Sequence, residues 1–161
     1  MAAPFNDAIR QFYEEHRQDL FTYALSQTGC AETAEDVIHT AFYKVLKRRT
    51  LPRELRPYVF RCVRNAAIDA LRASWRSPNG ESVFDLPPTP SPEEDIHRRQ
   101  MAEQMLENLT EDERECVVLK VYGGMTFREI AAVKNVPQGT AATWYRRGIA
   151  RLRARFEEVT P

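Results

Sequence analysis

The sequence predicts an all-α protein of two small helical domains joined by a Pro-rich linker, and three observations carry that prediction. Apolar residues recur at helical spacing, as in Phe12, Leu20, Tyr23 and Ala24, or Val37, Ile38, Ala41, Phe42, Val45 and Leu46, which sets them on one face of a helix. Nothing alternates persistently with period two, and no hairpin signal lies between apolar runs. Between Ser77 and Ser91 the chain reads SPNGESVFDLPPTPS, a composition that supports neither helix nor strand. The expected domains are therefore 1–76 and 92–161, with 77–91 as the linker.

Each helix has a local reason to begin where it does. A Ser or Thr hydroxyl can accept the free amides of a first turn while an acid three residues on answers the cap's own amide. Thr33 with Asp36, Ser91 with Glu94, Thr110 with Glu113 and Thr126 with Glu129 have that spacing, and Pro92 suits a first helical position. The expected helices are Asn6 to Thr28, Thr33 to Arg49, Leu55 to Ser74, Pro92 to Asn108, Glu111 to Tyr122, Phe127 to Lys134 and Pro137 to Glu157. The last two, a short helix and, after a tight turn, a longer one opened by Pro137, have the layout of a helix-turn-helix.

Composition narrows the function. With 161 residues, 43% apolar and 29% charged, the chain reads as globular, and no stretch approaches the roughly 18 uninterrupted apolar residues of a membrane span. The start MAAPFNDAIRQ lacks the basic and apolar runs of a signal peptide, so a cytoplasmic protein without membrane insertion is expected. Cys30, Cys62 and Cys116 are widely spaced, with no C-x-x-C and no clustered histidine, and are expected to be buried thiols rather than metal ligands. No nucleophile stands beside a base and no glycine-rich phosphate loop is present, so no catalytic residue, cofactor or metal site is expected.

Formal net charge is zero, but the charges are segregated. Residues 1 to 43 hold seven acids and two bases, whereas Lys44 to Arg76 hold ten bases against Glu54 and Asp69. Lys134 to Phe156 hold six bases and no acid. Two basic tracts in an otherwise acidic chain are the local footprint that phosphate binding needs. In the last helix Ala141, Tyr145, Gly148, Ile149 and Leu152 form a core stripe. The other face carries Gln138, Ala142, Thr143, Arg146, Arg147 and Arg153, where arginine can pair with guanine or phosphate and glutamine with adenine. In the third helix Tyr58, Phe60 and later Trp75 interleave with Arg61, Arg64, Asn65 and Arg72. Aromatic faces and arginines together suit single-stranded DNA, although for any one of these aromatics a core position is the simpler expectation.

Three motifs then stand in register. AEDVIHTAF, RNAAIDALR and LTEDER followed by REIAAVKNVPQGT resemble conserved cores of the extracytoplasmic-function (ECF) group of the sigma-70 family of RNA polymerase sigma factors. Residues 34 to 47 and 57 to 72 look like the family's second region, and residues 106 to 155 its fourth. The resemblance implies that Glu35, Asp36 and His39 dock on the polymerase core, that Arg61, Arg64, Asn65 and Arg72 hold the melted downstream promoter element, and that Gln138, Thr140, Thr143, Trp144, Arg146, Arg147 and Arg151 read the upstream element. It also implies an anti-sigma factor as a partner; the free protein is expected to be monomeric.

The sequence departs from the family pattern in two places. TAATW replaces a more basic run such as TVKSR, so that Trp144 either faces the groove and touches thymine methyl groups, packs inward, or belongs to a protein interface. His39 and Thr40 stand where a Gln and an acid are common, which removes a carboxylate from the docking helix. A helix-turn-helix regulator without initiation activity, and a sigma-derived protein-interaction module, remain the alternatives.

Overall fold

The computed structural model describes residues 2–75, 104 and 106–159 and is helical throughout its regular elements. The helices are α1 (Ala2–Thr28), α2 (Ala31–Arg48), α3 (Leu55–Trp75), α4 (Glu111–Val121), α5 (Phe127–Lys134) and α6 (Gln138–Val159). The linker 77–91, its cap pair Ser91 and Glu94, and most of the helix expected from Pro92 to Asn108 lie outside the described residues. The chain forms two compact units, one built from α1, α2 and α3, the other from α4, most of α5, and α6. No described helix is long and apolar enough to cross a membrane.

In the first unit the three helices pack on one another. Phe5, Ile9, Phe12, Leu20, Tyr23 and Ala24 of α1 are buried with Ala34, Val37, Ile38, Ala41 and Val45 of α2 and Val59, Phe60, Val63, Ala66 and Ala67 of α3. Tyr23 and Phe60 meet with ring centroids 5.6 Å apart, and Tyr13 meets Phe42 edge-on at 5.1 Å. Phe60 is thus core, as the simpler expectation had it. Leu46 departs from the predicted stripe: it is 43% exposed while Val45 in the same turn is buried, because it lies about 100° round the helix from Val45, on the side of Glu35 and His39.

The start of α2 also differs from expectation. The Thr33 and Asp36 cap does not form, because Gly29 ends α1 in the left-handed region at φ 74°, its amide bonded to the Leu25 carbonyl at 2.8 Å. The chain leaves that turn already aimed into the next helix, Cys30 becomes the N-cap, and Thr33 falls in the first turn.

In the second unit α4 packs against α6. The Thr110 and Glu113 capping box is complete, with Glu113 N–H donating to Thr110 Oγ1 at 3.2 Å and Thr110 N–H to Glu113 Oε1 at 3.3 Å. Thr126 caps α5 in the same way, through bonds of 3.1 and 3.2 Å with Glu129. Phe127 joins the elements: its ring lies 5.4 Å from Tyr145 of α6 and under Lys120 Nζ of α4 at 4.7 Å. Between α5 and α6 the chain turns through Asn135 at φ 56°, with Val136 N–H donating to the Ala131 carbonyl at 3.1 Å.

Candidate nucleic-acid interface

α6 is presented by the side it does not bury. Ala141 and Gly148 are buried, and Tyr145, Ile149 and Leu152 are half-buried on the same side, so the predicted core stripe is the packed side. A Cβ on Gly148 would stand 2.8 Å from Val117 Cγ2, which shows how closely the two helices approach. Gln138, Thr143, Arg146, Arg147, Arg151 and Arg153 are exposed, while Thr140 and Trp144 are half-buried.

The seven expected upstream-element residues do not all gather at one place. Thr140, Thr143, Trp144 and Arg147 line one open groove of about 390 Å³ together with Pro137 and Gly139. Gln138 and Arg146 do not line it. Arg151 lies two turns beyond Thr143, and its Nε pairs with Glu113 Oε1 at 3.4 Å. Glu113 was legible only as a capping residue; its second role, holding Arg151 from the start of α4, is a contact across the unit. The acid is 2% exposed, and its Oε2 has no hydrogen-bond partner among the described residues.

On α3, Arg61, Asn65 and Arg72 are exposed, and their steps of four and seven set them on one side of the helix. Arg64 is half-buried and engaged within the protein, to one side of that stripe. The side chain of Trp75 lies outside the described residues. Next to this face, Arg48 of α2 lies over the Tyr58 ring at 4.9 Å. Cys62 sits between these helices, where burial pushes its thiol above the ordinary value against the opposing pull of Tyr58, Lys44, Arg48 and Arg61. Cys30 is shifted the other way: the Thr33 amide and hydroxyl in the first turn of α2 hold its thiol below the usual range. Of the three cysteines only Cys116 is fully buried; Cys30 and Cys62 are half-buried, which corrects the expectation of three core thiols.

Glu35, Asp36 and His39 are exposed on α2, opposite its buried Ala34, Val37, Ile38, Ala41 and Val45. Thr40, standing where an acid was expected, donates its hydroxyl to the Asp36 carbonyl at 2.9 Å. The sequence reading missed Tyr43, which is 62% exposed at the middle of the same face and carries Lys47 Nζ 4.9 Å over its ring. Its position four residues after His39 was the available signal. Among the described residues, no group of three or more His, Cys, Asp or Glu is placed to hold a metal ion.

The chain matches two family models, Sigma-70 region 2 over residues 12–77 and Sigma-70, region 4 over residues 99–152, together about three quarters of its length. It is similar to the ECF RNA polymerase sigma factor SigL of Mycobacterium tuberculosis, 26% identical over 159 residues, covering 94% of this chain and 90% of the relative. It is also similar to the RNA polymerase sigma factor CarQ of Myxococcus xanthus, at 27% over 159 residues, covering 95% of this chain and 91% of the relative. Two solved structures share the fold. CnrH in complex with the cytosolic domain of CnrY gives a TM-score of 0.71 at 22% identity, over 96% of this chain and 91% of that one. The sigma factor RpoE in complex with the anti-sigma factor NepR from Bartonella quintana gives 0.72 at 21%, over 94% and 99%.

Proposed function

The chain belongs to the ECF group of the sigma-70 family and is an RNA polymerase sigma factor, and on that premise we propose how its residues divide the work. Residues 1–76 act as the domain that meets core polymerase and the melted downstream element, 77–91 as the linker, and 92–161 as the domain that reads the upstream element. Glu35, Asp36 and His39 dock α2 on the polymerase. Arg61, Arg64, Asn65 and Arg72 hold the unpaired strand along α3, and α6 enters the major groove with Gln138, Thr140, Thr143, Trp144, Arg146, Arg147 and Arg151.

Promoter melting follows from capture rather than from bond chemistry. A base turned out of the stack gains contacts on α3, and these recover the few kcal/mol spent on unstacking. The protein on this reading is not an enzyme, works in the cytoplasm, needs no cofactor, and is monomeric when free. An anti-sigma factor that covers the polymerase-facing and DNA-facing helices would keep it silent.

The observation that supports this reading best is the pairing, in one chain, of an exposed Arg61, Asn65 and Arg72 stripe with a recognition helix that carries no acid from Gln138 to Phe156. One is suited to a single strand and the other to a duplex. The test is run-off transcription with purified core polymerase on a pool of promoter fragments, comparing wild type with Asn65→Ala and Arg147→Ala. Protein-dependent transcripts from a small set of fragments are expected, and Arg147→Ala should weaken promoter binding by about 1–3 kcal/mol. Folded protein with active core and no transcript would instead favour the interaction module.

A further inference from the structure

The groove at the start of α6 has a chemistry of its own, apart from the arginines that surround it. Its walls are the Pro137 ring, the Gly139 backbone, Thr140, Thr143, the Trp144 indole and Arg147. The Thr143 hydroxyl is turned back along the helix and donates to the Gly139 carbonyl at 2.9 Å, which spends its one hydrogen. With the hydroxyl so engaged, the γ-methyl is the apolar part that this exposed, groove-lining side chain can offer. At Gly139 nothing lies within 4 Å of where a Cβ would stand, so the backbone there offers open space rather than a polar side chain. Trp144 supplies a large apolar wall and cannot make the bidentate bonds by which arginine or glutamine read a base pair.

On the major-groove edge of a stacked duplex the apolar group is the 5-methyl of thymine; the other groups are hydrogen-bond donors and acceptors. The surroundings fit DNA, since Arg146, Arg147, Arg153 and Arg155 are exposed along a helix without an acid from Lys134 to Phe156. We propose that the groove formed by Pro137, Gly139, Thr143 and Trp144 seats the 5-methyl group of one thymine of the upstream promoter element, making Trp144 a specificity-determining residue. This rests on the reading of α6 as the duplex-reading helix. It adds that one position of the element is selected by a methyl contact, with Arg147 at the rim on the neighbouring guanine or phosphate.

The test uses the holoenzyme and a promoter fragment obtained from the run-off selection. Each thymine of the upstream element is replaced singly by deoxyuridine, which removes the methyl and leaves every hydrogen-bonding group in place. Affinity for wild-type holoenzyme should fall about fourfold at one position, the worth of one buried methyl. Trp144→Ala should lose that discrimination and bind thymine and uracil equally, whereas Trp144→Phe should retain most of it. Placing 5-methylcytosine opposite guanine at that position should recover part of the binding lost by an unmethylated cytosine. Two results overturn the proposal while leaving the initiation reading intact: transcription that is indifferent to every single substitution, or a Trp144→Ala protein that still distinguishes thymine from uracil. Loss of all promoter-dependent transcription in wild type would overturn both.

Discussion

The two units hold an exposed, polar helix face in place by opposite means. In the first, α2 and α3 rest on large side chains, with Phe5, Phe12, Leu20, Tyr23 and Phe60 filling the space between three helices. In the second, α6 is held by proximity: Gly148 lets it lie close against Val117 of α4, and the buried Glu113 ties the start of α4 to Arg151. A unit packed by volume is hurt most by removing atoms. A unit packed by close backbone approach is hurt most by adding them.

The largest effect should therefore come from a truncation in the first unit. Phe60→Ala removes a ring that is 1% exposed and packs on Tyr23, and should cost about 3–5 kcal/mol. That is comparable to the whole stability of a small domain, so the α3 stripe should lose its scaffold. Chemical denaturation followed by circular dichroism reads it directly. A loss below 1 kcal/mol would show that the first unit does not depend on filled volume and would break the contrast.

Additions should matter in the second unit, and two glycines of one helix provide the comparison. At Gly148 a methyl would meet Val117 Cγ2 at 2.8 Å and the Glu113 carbonyl oxygen at 3.4 Å. Gly148→Ala should destabilise by about 1–3 kcal/mol through overpacking. At Gly139 a methyl meets open space, so Gly139→Ala should stabilise by up to about 1 kcal/mol through helix propensity alone. Thermal melts of the two variants should move in opposite directions. If both rise, the approach of α4 and α6 is looser than its geometry implies.

Much of this was legible in the sequence, because it rests on local rules. The helix-turn-helix, the α3 boundaries and the Thr110 and Thr126 caps follow from periodicity and from side chains three residues apart. What escaped was set by contacts between elements or by the exit angle of a turn. The cap template pointed to Thr33, but the left-handed Gly29 releases the chain into α2 three residues earlier. Spacing put Phe42 on the apolar stripe, and it packs edge-on against Tyr13, but the neighbouring Tyr43, four residues after His39, went unread as an exposed aromatic. Arg151 reads as one more base in the acid-free stretch from Lys134 to Phe156 until Glu113, 38 positions earlier in the chain, is seen to hold it.

The same contrast between local rule and imposed geometry can be sharpened where the effect is smallest. Among the described residues, Arg49 and Asn135 are the non-glycine residues held in the left-handed region, at φ 61° and 56°. Arg49 ends α2, and Asn135 makes the turn between α5 and α6. Asparagine visits this region at little cost because its short polar side chain can bond locally, whereas an arginine there carries the clash of its Cβ with the following carbonyl. Arg49→Gly should thus relieve strain that outweighs the extra entropy of glycine in the unfolded chain, and raise stability by up to about 1 kcal/mol. Asn135→Gly should change it by only about a few tenths, since less strain is present to relieve. The pair is measured by the midpoints of equilibrium unfolding. Should Arg49→Gly fail to gain on Asn135→Gly, the exposed Arg49 side chain must be recovering its backbone cost through contacts of its own.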